Sequence, residues 1–265
     1  MIAEQPLGRR TPADFDHVER YPLRRAAFVS NVERKLDINS NWRHLYNQGA
    51  EGACVGFSSS LMMSILNRHF YDARWLYGMA QEADEWPETP PEEGTSVRAG
   101  MDVLRAIGHR RRLVSQAANL ATSYVPDLKH GIIENRWARN VDELRTCIAG
   151  GTPAVLGCNW YQNFDDPELQ SRWFGLRRSE WWIGRAARWG RIRGGHAICV
   201  YAASDSRQAF GLCNSWGVEK FDSTGNMVGG YPLVWLPYDG MQRLINEAGE
   251  LTIVTDRPDV AKGEQ

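Results

Sequence analysis

Lysine is scarce in this 265-residue chain: only 4 of its 31 basic residues are lysines, and the rest are arginines. Acidic and basic residues nearly balance, with a formal net charge of −1, so charge does not indicate a nucleic-acid partner. No stretch reaches the roughly 18 consecutive apolar residues of a membrane span, and residues 1–10 lack the apolar centre of a signal peptide. We therefore expect a cytoplasmic protein with no membrane partner.

Patterns typical of a metal site or a disulfide framework are also missing. The five cysteines contain no close C-x-x-C pair, and the histidines lack metal-ligand spacing. The glycine-rich pieces form no phosphate-binding motif. We therefore predict scattered buried thiols, no metal and no cofactor.

A cysteine follows a glycine-rich turn and opens an apolar helix pattern. Residues 48–59 read QGAEGACVGFSS, and apolar residues recur three and four apart from Phe57 to Phe70. This pattern places Cys54 in the first turn of a helix, where the partial positive charge and free N–H groups favour a thiolate. Cys54 is therefore our candidate nucleophile, although a cysteine that starts an apolar helix is also typical of a buried core.

Helical patterns dominate the first half of the chain, and strand patterns dominate the second. The change of pattern near residue 150 predicts an α+β fold with two lobes. Residues 1–45 are polar and weakly periodic, so we expect an irregular arm packed along the domain. The predicted helices span 54–70, 73–83, 97–107, 140–149 and 238–245, and the predicted strands span 153–160, 197–203, 209–214, 231–235 and 251–255.

Two polar residues lie at the ends of neighbouring predicted strands. His196 follows two glycines and opens one strand, and Asn214 ends the next. A turn over residues 204–208 would bring them side by side. A cysteine nucleophile needs a base, and the base needs a third group to hold its ring. Cys54, His196 and Asn214 could fill these roles, although each alone also fits an ordinary structural residue.

At these positions the chain resembles the papain-like cysteine peptidases. Residues 48–58 follow their nucleophile motif, Gly195-His196-Ala197 their histidine motif, and Asn214-Ser215-Trp216-Gly217 their asparagine motif. From Cys54 the separation is 142 residues to His196 and 160 to Asn214, near the ~130 to 150 typical of the family. Residues 71–77 and 93–96 are similar to segments of compact bacterial and viral members, which lack propeptide and disulfides.

The resemblance implies a papain-like two-lobed fold with the active site in the cleft between a helical lobe, about residues 46–135, and an antiparallel β lobe, about residues 136–265. It implies that Cys54 is the nucleophile, that His196 is the general base and later the acid, and that Asn214 orients the imidazole. The implied reaction is hydrolysis of a peptide bond in a polypeptide substrate through an acyl-enzyme on Cys54.

Three further residues acquire roles from the same resemblance. Gln48 would donate a side-chain N–H to the oxyanion, beside the backbone N–H of Cys54. Trp216 would shield the hydrogen bond between histidine and asparagine from water. Gly94 would line the groove where the substrate backbone pairs.

The chain also departs from the family pattern. Glu51 stands where the family usually has a disulfide-paired cysteine, and Val55 replaces the usual aromatic residue after the nucleophile. About fifty residues precede Cys54, too few for both an inhibitory propeptide and a mature arm. We therefore expect activity to be controlled by location, substrate or partner.

Other interpretations remain open at this point. The fold could serve as a catalytically silent papain-like binding module, or the same thiol could serve an amidase, a deconjugating enzyme or a transferase. Residues 172–193 interleave tryptophan with arginine. They fit either a hairpin whose rings pack on the second lobe or a cleft edge that selects acidic substrate sequence.

Overall fold

The computed structural model describes residues 6–12, 29–38, 46–86, 93–115, 120–123, 125–170, 180–217, 220–221, 227–229 and 232–256. The helices of this part are α1 (Cys54–Asn67), α2 (Ala73–Ala83), α3 (Val97–Ala106), α4 (Val141–Ala149) and α5 (Tyr238–Asn246). The strands are β1 (Glu33–Lys35), β2 (Arg112–Ser115), β3 (Leu120–Ser123), β4 (Ile132–Trp137), β5 (Ala154–Tyr161), β6 (Glu168–Gln170), β7 (Glu180–Trp182), β8 (Ile192–Ser204), β9 (Ala209–Cys213), β10 (Lys220–Phe221), β11 (Met227–Gly229), β12 (Leu233–Pro237) and β13 (Glu250–Asp256).

Helix α1 is buried along most of its length and forms the centre of the helical part. The neighbouring helices α2 and α3 each begin with a side-chain cap. Asp72 accepts a hydrogen bond from the N–H of Trp75 in α2, and Ser96 caps α3 in the same way. Helices α1 and α2 approach closely at Gly56, where an added Cβ would lie 2.5 Å from the carbonyl oxygen of Ala73. Glycine at this position lets the backbones touch, which fixes α1 against α2.

A nine-stranded sheet forms the second part of the structure. Eight of its strands follow the order β4-β13-β5-β8-β9-β12-β7-β6, and β1 pairs with the end of β8. The pairing is antiparallel except between β12 and β7. The α+β prediction is therefore confirmed.

Alternate residues of the long central strands face two different cores. On β8, Ala197 and Cys199 face the core shared with α1, whereas Ile198 and Val200 face the core shared with α4 and α5. Because both faces of β8 are covered, its sequence is a nearly continuous apolar run. Helix α1 lies on the first face, and this packing brings Cys54 to the sheet.

Two strands at the edges of the sheet were not predicted from the sequence. Strand β4 lies in the half predicted as helical, and β1 lies in the arm predicted as irregular. Strand β4 pairs only with β13, and its Ile133 is exposed. A strand of this kind has no long apolar run, so its pattern is weak. The lobe boundary near residue 135 stays a prediction. No helix in the described ranges is long and apolar enough to cross a bilayer.

Candidate active site

Cys54 is the first residue of α1 and is fully buried. Its Sγ accepts a hydrogen bond from the backbone N–H of Ala197 on β8, at 3.3 Å. The helix has no side-chain cap and no acidic residue in its first turn. The partial positive charge of the helix end therefore acts on the sulfur without a competing carboxylate.

His196 and Asn214 lie side by side, as the sequence predicted. The Nε2 of His196 is 2.9 Å from the Oδ1 of Asn214. That same oxygen accepts the backbone N–H of Ser215, also at 2.9 Å, which identifies it as the acceptor end of the amide. Nε2 of the neutral ring therefore carries the proton, and Nδ1 keeps its lone pair. Nδ1 is buried and has no hydrogen-bond partner within the described residues.

Two tryptophans cover the imidazole. The ring of Trp216 lies 4.9 Å from the ring of His196, and the ring of Trp160, on β5, lies 4.6 Å away and nearly perpendicular. His196 and Asn214 are both buried, and a low local dielectric strengthens a hydrogen bond between such groups. The role of Trp216 in shielding this bond from water stays a prediction. Sequence reasoning identified Trp216 but missed Trp160, whose only signal was its place at the end of a predicted strand.

Gln48 is held by the residue that follows the asparagine. The Oγ of Ser215 donates to its Oε1 at 2.5 Å, and the N–H of Gln48 donates to the carbonyl of Ser215. The amide nitrogen of Gln48 is thereby turned toward acceptors: it bonds the carbonyl of Glu51 at 2.7 Å and that of Pro6 at 3.5 Å. Its role as an oxyanion donor stays a prediction. Ser215, which sequence reasoning passed over, links Gln48 to Asn214.

Residues 6–12, here called the cleft segment, lie directly over Cys54. The carbonyl of Gly8 accepts the N–H of Thr95, and the N–H of Arg9 donates to the carbonyl of Gly195, beside His196. The indole N–H of Trp216 donates to the carbonyl of Pro6 at 3.2 Å. The irregular arm expected over residues 1–45 stays a prediction, and most of its residues lie outside those described. The segment bridges the two sides of the site.

Two glycines make room for the cleft segment. A Cβ at Gly94 would lie 2.4 Å from the carbonyl oxygen of Gly8, and one at Gly195 would lie 2.0 Å from that of Arg9. Gly94 lies against Gly8, and its neighbour Thr95 makes the backbone hydrogen bonds to the cleft segment. The role of Gly94 in lining a substrate groove stays a prediction. A larger residue at either glycine would keep a peptide backbone out of the groove.

The cleft segment contacts the thiol of Cys54 through its backbone. The backbone N–H of Gly8 is hydrogen-bonded to Cys54 and, together with the N–H of Ala197, moderates the effect of burial, which raises the pKa of the thiol to about 11. Burial also lowers the pKa of His196 to about 4, against the opposing effect of its bond to Asn214. At neutral pH the covered site therefore holds a neutral thiol and a neutral imidazole.

The side chain of Arg9 continues from the cleft segment into the protein interior. Its Nε and Nη2 lie 3.1 and 2.9 Å from the Oε2 of Glu250, on β13, and both side chains are fully buried. Sequence reasoning gave neither residue a role. They are 241 positions apart, and no local pattern connects them.

The tryptophan- and arginine-rich stretch is only partly described, since residues 171–179 lie outside the described residues. In the part that is described, Trp182 and Trp189 are buried, and the guanidinium of Arg243 lies 3.9 Å from the Trp189 ring. Arg193 pairs with Asp165. These contacts favour the packing interpretation for this part, and selection of acidic substrates stays a prediction.

The cysteines and possible metal ligands complete the description. All five cysteines are free thiols; Cys147 is half-buried and the other four are buried. Within the described ranges, no group of three or more histidine, cysteine, aspartate or glutamate side chains could hold a metal ion.

The structure is similar to solved cysteine protease structures. Xylellain, a cysteine protease from Xylella fastidiosa, is 17% identical with a TM-score of 0.65, over 96% of this chain and 98% of that one. Procathepsin B S9 from Trypanosoma congolense is 12% identical with a TM-score of 0.58, over 96% and 87%. Procathepsin L2 proteinase from the Tenebrio molitor larval midgut is 14% identical with a TM-score of 0.57, over 95% and 78%.

At these identities the likeness shows the fold. The chain has the papain-like α+β fold that its sequence predicted. No protein-family model and no curated protein sequence matches it. The chemistry of the site therefore rests on the arrangement of its own residues.

Proposed function

We propose that the protein is a cysteine peptidase that cleaves polypeptides through an acyl-enzyme on Cys54. One observation carries this proposal: Nε2 of His196 is held by Asn214, and Nδ1 has no hydrogen-bond partner among the described residues, in the same buried site as the Cys54 thiol. A buried polar nitrogen left unpaired costs free energy, so it is expected where function requires it.

The residues would act in two stages. In the first, Nδ1 of His196 takes the thiol proton, the sulfur attacks the carbonyl carbon, and Gln48 with the Cys54 N–H bonds the resulting oxyanion. The C–N bond then breaks, and the amine leaves with the proton from His196. In the second stage, His196 takes a proton from water, the hydroxide attacks the thioester, and the carboxylic acid leaves as the thiol regains its proton.

The cleft segment must leave the site before this reaction can begin. It covers the thiol, and the backbone N–H of Gly8 is hydrogen-bonded to the sulfur. Departure of the segment would admit water, and the pKa of Cys54 would fall while that of His196 would rise. Uncovering the site therefore moves both groups toward their reactive states.

A peptide-library digest tests the proposal. The full-length protein and its Cys54→Ala variant are incubated with a mixed peptide library, and new chain termini are identified by mass spectrometry. We expect cleavage at defined positions by the wild-type protein and none by the variant. Cleavage that persists in Cys54→Ala would contradict the proposal. The absence of cleavage by both the folded wild-type protein and the folded Arg9→Ala variant would also contradict it.

The structure also offers an observation in favour of the binding-module alternative. Cys54 and His196 are both fully buried beneath the cleft segment. A protein that stays closed would bind through another surface and would not turn over peptides. Amide transfer by the same thiol would join the acyl group to another amine and leave no new carboxyl terminus, so the digest separates these functions. The cytoplasmic location stays a prediction, which cell fractionation would test.

A further inference from the structure

A carboxylate anchors one of the two tryptophans that cover the imidazole. The indole N–H of Trp160 donates to the Oδ1 of Asp165 at 3.0 Å, and the ring of Trp160 lies 4.6 Å from that of His196. We propose that Asp165 is a positioning residue for the base, which holds Trp160 against His196 and neutralises the charge of Arg193 near the ring. This inference rests on the proposed function of His196.

The local fold brings Asp165 to the indole. Trp160 lies at the end of β5, and the chain then passes through the short 3₁₀ helix Gln162–Phe164, which ends at Asp165. The ring of Phe164 lies 5.2 Å from that of Trp160 and nearly perpendicular, and the ring of Trp216 lies at the same distance. With its N–H bonded to Asp165 as well, the indole is held in one position. The imidazole therefore packs on a fixed wall.

The second oxygen of Asp165 binds Arg193. Nη1 of Arg193 lies 2.6 Å from the Oδ2 of Asp165, and the two side chains are only 8% and 13% exposed. Water screens such a pair little, and removal of one partner would leave the other charge buried and uncompensated. Arg193 lies three residues before His196 on β8. One carboxylate thus joins the cover of the ring to a cation on the same strand as the ring.

The charge of Arg193 reaches the imidazole. Burial is the main cause of the lowered pKa of His196, and the positive charge of Arg193 lowers it further, against the effect of the bond to Asn214. Other titratable side chains near the ring are those of Cys54 on α1, Cys158 on β5, and Arg9, which Glu250 pairs. Both thiols are uncharged at neutral pH, because burial raises their pKa.

Neutralisation of Arg193 favours the charged form of the base. When Nδ1 of His196 takes the thiol proton, the ring becomes an imidazolium, and an uncompensated cation nearby would oppose this charge. The carboxylate of Asp165 offsets the field of Arg193, so the proton transfer costs less free energy. Asp165 acts on the ring through Trp160 and Arg193. It is therefore a positioning residue and not a catalytic one.

An amide at position 165 separates the two roles. An asparagine has one oxygen that can still accept the indole N–H, but its second group is an NH₂ donor, which would face the donors of the guanidinium. Asp165→Asn therefore keeps an acceptor for Trp160 and removes the charge that balances Arg193. Asp165→Ala removes both.

Titration of His196 tests the role of the charge. Histidine ring signals are followed by NMR in full-length Arg9→Ala/Cys54→Ala, in which no thiol at position 54 titrates with the ring, and His196→Gln assigns the signal. We expect Asp165→Asn to lower the midpoint of the His196 titration by about one pH unit. Addition of Arg193→Gln should restore the midpoint, which would not happen if Asp165 served packing alone.

A matched control is Glu180→Gln, which breaks a similar half-buried pair with Arg207. It should leave the midpoint of His196 unchanged. An unchanged midpoint in folded Asp165→Asn, or a fall that Arg193→Gln does not reverse, would overturn the inference. If Asp165→Asn does not fold, Arg193→Gln alone decides the question: it should raise the midpoint, and no rise would overturn the inference.

The indole signal of Trp160 tests the anchor. Its N–H resonance, assigned with Trp160→Phe, is followed in the same proteins. We expect Asp165→Ala to speed exchange of this proton with water at least about tenfold, because its bond to a charged acceptor is lost. Asp165→Asn should exchange more slowly than Asp165→Ala. Equal exchange in Asp165→Ala and in the parent protein would show that Asp165 does not hold the indole.

Turnover separates this inference from the proposed function. Against a peptide cleaved in the library digest, we expect Asp165→Asn to lower kcat/KM about tenfold and Arg193→Gln to restore most of the loss. The two NMR measurements do not require cleavage. The expected shifts in a protein that cleaves nothing would contradict the proposed function alone, whereas their absence in an active protein would overturn only the role of Asp165.

Discussion

His196 and His109 are both fully buried histidines, yet the structure uses them differently. Burial lowers the pKa of His196 to about 4 and that of His109 to about 3. His109 has a partner at each nitrogen: Nε2 lies 2.8 Å from the Oγ of Ser60, and Nδ1 accepts the N–H of Arg110. His196 has one partner and an unpaired Nδ1. A lowered pKa therefore reports burial in both cases, and the two sites differ in how their ring nitrogens are paired.

The covers of the two histidines differ as well. His109 stacks on Tyr71 at 4.6 Å and lies near Trp75 inside the helical part. His196 lies under Trp160, Trp216 and the cleft segment, which the Arg9–Glu250 ion pair anchors. The cover of His109 is part of the core. The cover of His196 includes the cleft segment, which is joined to Thr95 by an isolated bridge and is not a strand of the sheet.

Substitution of His196 should give the largest effect on activity. We expect His196→Gln to lower kcat/KM at least about 10⁴-fold, because His196 takes the thiol proton in the proposed reaction. Its melting temperature should stay within a few degrees of the wild type. Peptide turnover and thermal unfolding are measured on the same samples, and residual activity above one per cent would show that Nδ1 is not the base.

Substitution of Gln48 tests whether the site that contains Nδ1 of His196 also contains a side-chain donor for the oxyanion. We expect Gln48→Ala to lower kcat by about 10²- to 10³-fold, the effect of removing one oxyanion donor. Gln48→Glu keeps the size of the side chain but replaces the donor with a carboxylate and serves as the matched variant. If Gln48→Ala changed KM but not kcat, Gln48 would contribute to substrate binding in the ground state and not to stabilisation of the oxyanion.

The candidate catalytic residues were predictable because each lies within a short motif. Gln48 and Cys54 share one glycine-rich stretch, and His196 and Asn214 each follow or end an apolar strand. The cleft segment was not predictable. Its ion pair joins residues 241 positions apart, and neither Arg9 nor Glu250 has a local pattern that distinguishes it from a solvated charge.

The same limit explains the missed secondary structure. The central strands β5 and β8 were predicted because both of their faces are buried, which produces apolar runs. Strands β1 and β4 have exposed positions and lie at the margins of the sheet, so tertiary pairing decides their conformation. Local pattern thus predicted the motifs and the interior, and contacts between distant residues set the rest.

Substitution of His109 should lower the stability of the protein, whereas substitution of His196 should lower its activity. We expect His109→Ala to lower the free energy of unfolding by about 2 to 4 kcal/mol, because it leaves a cavity and unpairs Ser60. The folded variant should retain kcat/KM within about fivefold of the wild type. Urea unfolding measures the loss of stability, and peptide turnover measures the retained activity. A loss of turnover in folded His109→Ala would contradict the contrast between His109 and His196.

Acid should destabilise both sites. Each pKa is lowered in the folded state from the usual 6.5 of histidine, so the unfolded chain binds more protons below pH 6.5. The free energy of unfolding should be insensitive to these groups above pH 6.5. Between pH 6.5 and about 4 it should fall by about 1.4 kcal/mol per pH unit for each histidine.

Opening the cleft should remove only one of these contributions. In Arg9→Ala, His196 can meet water and protonate in the folded state, whereas His109 stays enclosed. We therefore expect a shallower pH dependence in Arg9→Ala than in the wild type. Urea unfolding at pH 7.5, 6 and 5 measures it, and identical slopes in the two proteins would show that the cleft segment does not set the burial of His196.

The central claim is that Cys54 is a working nucleophile closed by the chain's own cleft segment. The most direct measurement is the rate at which an epoxysuccinyl peptide alkylates Cys54 at pH 7, with the adduct located by mass spectrometry. We expect Arg9→Ala to react at least about tenfold faster than the wild type, because loss of one partner of a buried ion pair costs about 3 to 5 kcal/mol.

A matched control is Arg10→Ala, which removes the neighbouring arginine, whose guanidinium stacks on Trp86. We expect this variant to react at nearly the wild-type rate. An adduct on Cys54 that forms much faster only in Arg9→Ala would support the account. Equal rates in all three folded proteins, or no adduct on Cys54 in any of them, would contradict it.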